Sequence, residues 1–154
     1  MAKVDFMTKL HTRTKRDYLE RMVKHNKAQC AEIAKKLDYN YWDGDRKYGY
    51  GGYYYDGRWK TVVEDMIKHY GLNDDTRVLD VGCGKGYFLY DFKTLLPKSE
   101  IRGIDVSQYA LENAHENVKP FLDFGSVCEL PYEENHFDLV ISINTLHYLH
   151  IYEL

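Results

Sequence analysis

The sequence predicts an α/β fold in which a doubly wound parallel sheet follows an N-terminal helical extension. From residue 72 onward, short apolar segments alternate with amphipathic segments of helical period, and a glycine-rich turn directly follows the first apolar segment. Such alternation is typical of parallel strands joined by right-handed helical crossovers. We therefore expect residues 1–71 to form helices and an aromatic segment, and residues 72–154 to form part of a ligand-binding domain.

Composition limits the classes of protein to consider. The chain has 154 residues, of which 44% are apolar or aromatic, and this is enough for one domain with a hydrophobic core. The net charge of −3 argues against a general nucleic-acid binder. Residues 1–37 nevertheless hold ten Lys or Arg and four Asp or Glu, so a basic arm precedes an acidic body. Its charge is explained most simply as a solvated helix face, which makes nucleic acid an unexpected partner.

The chain contains no apolar run close to the roughly 20 residues that a membrane span needs. Its three cysteines, Cys30, Cys83 and Cys128, show no metal-ligand spacing and are odd in number. Both features are typical of a soluble cytoplasmic protein with reduced thiols and no metal centre.

The first predicted element is an amphipathic helix over Tyr18–Leu37, whose apolar residues recur at helical spacing. The same residues step by four and three, as in a coiled-coil seam, but they extend over fewer than three heptads. Packing of this helix against its own domain is the favoured interpretation.

An aromatic segment follows over residues 39–59, with seven Tyr, two Trp and five Gly and no persistent period. It is predicted to be a loop, in which glycines supply the turn conformations. The segment is either a static clasp between the first helix and the body or a lid over a ligand pocket. Aromatic rings with polar tips suit both roles.

The remaining elements follow in order along the chain. A helix over Trp59–Tyr70 ends at Gly71, and Ser107 is a suitable N-cap for a later helix. The predicted strands are 77–81, 100–106, 121–127 and 137–143, the helices between them are 87–96 and 108–118, and a last helix begins at Thr145.

The glycine-rich turn carries the chemistry. Asp80 ends the first strand, and glycines at 82, 84 and 86 let a ligand approach the backbone at the carboxyl end of the sheet. Asp105 ends the second strand, 19 residues after Gly86, where a carboxylate can bind a ribose diol. Together these residues indicate a cofactor that contains a nucleoside.

The spacing DxGxGxG differs from the GxGxxG of dinucleotide sites and resembles motif I of the class I S-adenosylmethionine-dependent methyltransferases. Three further segments resemble that superfamily in order and spacing: Gly103–Ser107, Gly125–Tyr132 and His136–His147. The resemblance covers residues 76–152 and implies a Rossmann-like sheet with strand order 3-2-1-4 in this portion.

The resemblance also implies the roles of individual residues. Asp80 and the backbone of Gly82, Cys83, Gly84 and Gly86 would hold the methionyl part of S-adenosylmethionine, and Asp105 the ribose. Val106 and Val127 would border the adenine. Many family members have Asp at the position of Ser126, so a hydroxyl would replace a carboxylate beside the adenine amino group.

Two catalytic candidates follow the fourth strand. Asn144 would lie beside the reactive methyl group, and His147, nearly one helical turn on, is the nearest candidate for a general base. At the end of the aromatic segment, the resemblance implies that Arg58 and Trp59 would lie over the carboxylate of the cofactor, and Tyr55 is a further candidate cofactor contact. Pairing of Arg58 with Asp56 is the alternative.

The family's sheet has seven strands, whereas this sequence supplies four, so the second half of the fold is expected to be absent from it. The fourth strand would then be an apolar edge that either a longer chain or a second copy covers. The leading functional hypothesis is methyl transfer to a small molecule such as a sugar, an acid or an amine, with S-adenosylhomocysteine as the product. The alternatives are a cofactor-binding fragment without turnover and a nucleotide-dependent oxidoreductase.

Overall fold

A four-stranded parallel sheet organises the chain. The structure is a computed structural model and describes residues 4–11 and 27–149. The strands are β1 (Arg77–Val81), β2 (Glu100–Asp105), β3 (Leu122–Phe124) and β4 (Leu139–Ile141). Their order is β3-β2-β1-β4, with all three pairings parallel, which confirms the predicted doubly wound α/β fold.

The register brings the carboxyl ends of the strands together. Asp80 of β1 pairs with Gly103 of β2 and with Ile141 of β4, and Asp105 pairs with Phe124. The turns that follow the four strands therefore meet along one edge of the sheet, which is where open α/β sheets bind ligands.

One face of the sheet packs against two helices, α4 (Lys60–Tyr70) and α5 (Tyr87–Leu95). Helix α4 contributes Val62 and Val63 to this core and ends at Gly71, whose φ of 64° is the left-handed conformation of a C-cap. The fully buried side chains of the core are dominated by Leu, Ile, Val and Phe; they include Leu89, Phe92, Val78 and Ile101. A short helix α1 (Thr8–His11) adds Leu10 to the periphery of the same core.

The opposite face of the sheet is covered differently. Leu79, Val81 and Ile104 form a small cluster there, which packs against Val127, Tyr132 and Phe137. Val140 of β4 is 58% exposed, although the neighbouring Ile141 is buried. Among the described residues β4 thus forms an edge of the sheet with an exposed apolar side chain, as the sequence predicts.

Two predictions about the N-terminal region need correction. Residues 18–26 of the predicted first helix lie outside the described residues, and the described helix α2 (Lys27–Ala34) ends before Leu37, which has a left-handed φ of 47°. The aromatic segment is not all loop, because Tyr39–Trp42 forms a helical turn, α3. The carboxylate of Asp38 caps this turn by accepting a hydrogen bond from the Asn40 N–H at 2.9 Å.

Two predicted helices in the α/β region are also shorter than expected. Helix α6 (Gln108–Glu112) stops well before residue 118 because the chain turns and the His115 N–H donates to the Lys85 carbonyl at 3.1 Å. After β4 the structure has a 3-10 turn over Leu146–Tyr148 in place of the start of an α-helix. Within the described ranges, no helix has both the length and the apolar character to cross a membrane.

The unpaired outer edge of β4 predicts that copies of this chain associate with one another. Its pairing with β1 is the only strand pairing of β4 among residues 4–11 and 27–149, and Val140 exposes an apolar side chain beside that edge. We expect the 154-residue chain to self-associate, because unpaired apolar edges recruit other strands. Sedimentation velocity should show species larger than a monomer, and Val140→Lys should shift them toward the monomer. A monomeric wild-type chain with cooperative unfolding would contradict this expectation.

Candidate cofactor-binding site

The glycine turn after β1 forms the floor of the candidate site. Gly82 and Gly84 have φ values of 82° and 54°, a region that other residues rarely adopt. A Cβ atom on Gly82 would lie 2.0 Å from Oγ1 of Thr145, and one on Gly84 would lie 2.6 Å from Cη2 of Trp42. The lack of a side chain at Gly82 and Gly84 therefore allows Thr145 and Trp42, respectively, to pack directly on the backbone of the turn.

Asp105 joins the turns after β1 and β2. One carboxylate oxygen accepts a hydrogen bond from the Gly84 N–H at 2.8 Å, and the other accepts from the Ser107 N–H at 2.8 Å. Burial raises the pKa of Asp105, although the hydrogen bonds from Ser107 and Gly84 act in the opposite direction. The carboxylate thus holds the two turns at a fixed separation.

Asp80 is the second buried carboxylate at this edge and has a different environment. Its side chain is 4% exposed, and no hydrogen-bond donor within residues 4–11 and 27–149 contacts its carboxylate. Burial, together with the negative charge of Asp105, raises the pKa of Asp80 to about 7. A buried carboxylate without a donor favours a cationic partner.

Three rings of the aromatic segment close the site from above; we call Trp42, Tyr50 and Tyr53 the aromatic wall. The rings of Trp42 and Tyr50 stack with centroids 5.3 Å apart and an interplanar angle of 8°, and those of Tyr50 and Tyr53 lie 4.5 Å apart. The Trp42 Nε1–H donates to Oγ of Ser107 at 2.8 Å, which fixes the indole over the glycine turn.

An ion pair attaches this wall to the glycine turn. Nζ of Lys85 lies 2.8 and 2.7 Å from the two carboxylate oxygens of Asp43, and the Lys85 side chain is 6% exposed. Burial alone would raise the pKa of Asp43, but hydrogen bonds from Lys85, the Tyr53 N–H and Tyr109 lower it below its ordinary value. The Asp43 carboxylate is therefore ionised at neutral pH.

The wall borders two cavities at the carboxyl edge. The outer cavity has a volume of about 120 Å³ and extends from Asp105 and Val106 to the segment after β4. The inner cavity has a volume of about 50 Å³ and lies over Asp80 and the glycine turn. Trp42, Tyr50, Gly82 and Asn144 line both cavities.

Most of the residues predicted for the site lie at these cavities. Asp105, Val106, Ser126 and Val127 line the outer cavity, while Asp80, Cys83 and Gly84 line the inner one. Asn144 has a left-handed φ of 57°, a strained conformation of the kind that clusters at functional sites. Oγ of Ser126 accepts a hydrogen bond from the Cys128 N–H at 3.1 Å, so its own proton is free to donate.

Three predicted cofactor residues lie away from both cavities. A Cβ atom on Gly86 would lie 2.9 Å from Cγ2 of Val118, on the side of the turn that faces the core. Arg58 pairs with Asp56 at 2.7 Å, which is the alternative that the sequence left open. The Tyr55 hydroxyl donates to a carboxylate oxygen of Asp91 at 2.5 Å. The roles of these three residues toward the cofactor stay predictions.

The segment after β4 presents tyrosine, rather than histidine, to the outer cavity. His147 is exposed and its ring lies 4.2 Å from that of Tyr148, whereas Tyr148 and Thr145 line the cavity. The hydroxyls of Tyr148 and Tyr41 are hydrogen-bonded at 2.8 Å across its rim. Within the described ranges no cluster of three or more His, Cys, Asp or Glu is suited to hold a metal ion.

Sequence reasoning did not identify the individual aromatic residues of the site. Leu37, Trp42, Tyr50, Tyr53 and Tyr148 all line one or both cavities. For the three rings of the wall, the signal in the sequence was the density of Tyr and Trp over residues 39–59, which predicts a contact surface without specifying the rings that form it. Leu37 and Tyr148 lie outside that segment.

Comparison with known proteins agrees with this geometry. A family model described as a methyltransferase domain matches residues 72–153. The chain is 30% identical over 91 residues to the malonyl-[acyl-carrier protein] O-methyltransferase of Bacillus anthracis, covering 58% of this chain and 34% of that protein. It is also 37% identical over 90 residues to a mitochondrial arginine-hydroxylase of mouse, covering 56% and 24% of the two chains.

Among solved structures, a protein from Methanococcus maripaludis assigned as an S-adenosyl-L-methionine-dependent methyltransferase superposes with a TM-score of 0.54 and 18% identity. The match covers 90% of this chain and 56% of that one, and it supports the fold. The chain spans about a third of the length of the first curated relatives that it matches.

The elevated pKa of Asp80 generates a test of stability. The folded pKa is about 7 and the ordinary value is 3.8, so ionisation of Asp80 destabilises the fold progressively as the pH rises from about 4 to about 7. Asp80→Asn should therefore raise the free energy of unfolding by about 2 to 4 kcal/mol at pH 8, with little change at pH 4.5. Urea titrations at the two pH values measure the difference.

Asp138 provides a matched control for this experiment. Hydrogen bonds from Arg77 lower the pKa of Asp138, so Asp138→Asn should lower the stability at pH 8 rather than raise it. Equal effects of the two substitutions would contradict the electrostatic origin.

Proposed function

Because the chain belongs to the methyltransferase domain family, we propose that it binds S-adenosylmethionine and transfers the methyl group to a small-molecule acceptor. The observation that carries the proposal is the arrangement of two buried carboxylates, Asp80 and Asp105, on either side of the glycine turn and beside two cavities that share the aromatic wall. One carboxylate suits an ammonium group and the other suits a ribose.

At the inner cavity, Asp80 would receive the ammonium group of the methionyl part. Its carboxylate is buried without a hydrogen-bond donor among the described residues, so a bound cation would remove an electrostatic cost that the protein otherwise bears. Tyr50, Tyr53 and Trp59 present aromatic rings to the same cavity, and aromatic faces attract cations. The residues present therefore fit the positive end of this cofactor.

At the outer cavity, Asp105 and Ser126 would receive the adenosine part. Each oxygen of Asp105 accepts one backbone hydrogen bond and keeps a second lone pair for a ribose hydroxyl. Ser126 provides a hydroxyl beside Val106 and Val127, whose apolar side chains suit the face of a purine.

When bound, the cofactor supplies a methyl group already activated by its sulfonium, so the protein mainly has to align the acceptor and exclude water. The aromatic wall supplies an apolar boundary that excludes water. Asn144, which lines both cavities, is the candidate for positioning the acceptor. Because His147 is exposed and outside both cavities, its role as a general base depends on a rearrangement of residues 145–149.

A small-molecule acceptor is favoured over a nucleic acid because the cavities are small and aromatic and the described body is acidic. The second candidate function is cofactor binding without turnover, which is favoured by the position of His147, the predicted general base, outside both cavities. Methyl transfer from labelled cofactor, compared with equilibrium binding, separates the two. We also propose a cytoplasmic location, because the three cysteines are odd in number and lack metal-ligand spacing, as is typical of reduced thiols.

Calorimetric titration with S-adenosylmethionine and S-adenosylhomocysteine tests the cofactor assignment. Asp105→Ala should weaken binding at least about tenfold, because the ribose contact and the fixed separation of the two turns are both lost. Asp105→Asn, which keeps one acceptor oxygen, should bind with intermediate affinity. Asp123→Ala, on the neighbouring strand and outside both cavities, is the control.

Equal affinity of wild type and Asp105→Ala would remove Asp105 from the site. No binding by the wild-type protein or by any longer form of it would overturn the cofactor assignment.

We also propose that residues 39–59 act as a lid and not as a static clasp. Trp42 and Tyr50 of the wall line both cavities, and a cofactor that reaches both Asp80 and Asp105 would have to pass beside these rings, so we expect the wall to move when the cofactor enters. Hydrogen exchange of amides 39–55 should slow when the cofactor is bound, while amides of β1 and β2 change little. Unchanged protection of residues 39–55 with saturating cofactor would favour the static clasp.

A further inference from the structure

We propose that Lys85 is a positioning residue that holds the aromatic wall against the glycine turn and thereby controls the entry and release of the cofactor. This inference rests on the proposed function. It concerns a residue that lies inside the motif between Gly84 and Gly86 but lines neither cavity.

The ammonium group of Lys85 is fully engaged by the aromatic segment. Nζ donates to Oδ1 and Oδ2 of Asp43 at 2.8 and 2.7 Å and to the carbonyl oxygen of Tyr53 at 2.8 Å. These three acceptors match the three N–H donors of a lysine. All three donors of the ammonium group are therefore used by the segment that covers the turn, and the ring of Tyr109 lies 5.9 Å from Nζ.

The two attachment points lie at the two ends of the aromatic wall. Asp43 directly follows Trp42, and Tyr53 is the last ring of the wall. The Tyr53 N–H also donates to Oδ1 of Asp43 at 3.0 Å, which closes the segment into a loop. A single ammonium group therefore fixes both ends of the loop that carries the three rings.

Neighbouring hydroxyls strengthen this attachment without replacing it. The Tyr109 hydroxyl donates to Oδ2 of Asp43 at 2.7 Å, and the Tyr87 hydroxyl donates to the Tyr53 carbonyl at 3.2 Å. Both are neutral donors, whereas Lys85 is the only cationic donor to Asp43 among the described residues. Loss of the ammonium group would leave the Asp43 carboxylate without a counter-ion.

The position of the wall decides whether the two cavities are separate. With Trp42 packed on Gly84, the cavities measure about 120 and 50 Å³, while small-molecule sites usually measure about 300 Å³ or more. Trp42 and Tyr50 of the wall line both cavities, so a ligand that occupies both would displace these rings, and their movement would break or carry along the bonds of Lys85. Lys85 therefore determines how often the site is open.

The test uses Trp42 as a spectroscopic reporter in a Trp59→Phe background, which leaves one of the two tryptophans and keeps an aromatic ring at the inner cavity. Because Trp59 also donates to the Tyr53 hydroxyl at 3.3 Å, every variant is compared with this Trp59→Phe parent. In the unliganded protein, Lys85→Met and Asp43→Asn should each shift the Trp42 emission to longer wavelength, because the indole is then exposed to water. The emission wavelength of Lys85→Arg, which keeps the positive charge, should be closer to that of the parent protein than to that of Lys85→Met.

Stopped-flow mixing with S-adenosylhomocysteine measures the second readout. Lys85→Met should bind about tenfold faster, because a larger fraction of the molecules is open. It should also release the ligand faster by a larger factor, so that its affinity is lower. The matched control is Lys93→Met, since Lys93 donates to the Ser99 carbonyl at 2.6 Å away from the site.

A purely structural role for Lys85 would give a different result. Lys85→Met would then lower the melting temperature, as Lys93→Met does, but leave the Trp42 emission and both rate constants within about twofold of the parent values. That outcome would overturn the proposal. If the wild-type protein binds no cofactor, the proposed function fails, while the emission of the unliganded variants still decides the position of the wall.

Discussion

The carboxylate of Asp105 is the contact on which the arrangement at the carboxyl edge depends. It accepts hydrogen bonds from the N–H groups of Gly84 and Ser107, and so it joins the turns after the two central strands. Oγ of Ser107 in turn accepts from the Trp42 indole and donates to the Leu37 carbonyl at 2.5 Å. A single buried anion therefore sets the floor of the site and, through Ser107, the position of its cover.

The site combines strong packing with electrostatic strain. The core beneath it is filled by side chains such as Leu89 and Phe92, which have no measurable exposure, whereas the edge above it buries Asp80 without a donor among the described residues. Such a charge is tolerated because the packing of the sheet and of helices α4 and α5 holds the backbone around it in place. The apolar core thus stabilises the fold, whereas the residues at the cavities reduce its stability.

The sequence allowed the sheet and the glycine turn to be predicted because both depend on local patterns. Apolar strand segments, the positions of Gly82 and Gly84, and the N-cap Ser107 are each specified within a few residues. The length of α6 was not predictable in this way, since it is ended by a hydrogen bond between His115 and the distant Lys85.

Which rings of residues 39–59 cover the site escaped prediction for the same reason. Residues 39–59 have no period, and the rings of Trp42, Tyr50 and Tyr53 acquire their positions from tertiary partners such as Ser107 and Lys85. Arg58 and Tyr55 were expected at the ligand because their chemistry suits it, but nearby carboxylates of Asp56 and Asp91 engage them instead.

The pairing of Lys85 with Asp43 restricts how this protein can change during evolution. Position 85, between the last two glycines of the turn, would accept many side chains if it faced solvent. Here a neutral residue at position 85 would leave the Asp43 carboxylate without a counter-ion, and an acidic residue would repel it. Residues 43 and 85 can therefore be substituted only as a pair. Their charges must either stay opposite or both be removed together. A designer who transplants the glycine turn into another scaffold inherits the same restriction: the lysine must be replaced, or the loop that neutralises it must be transplanted too.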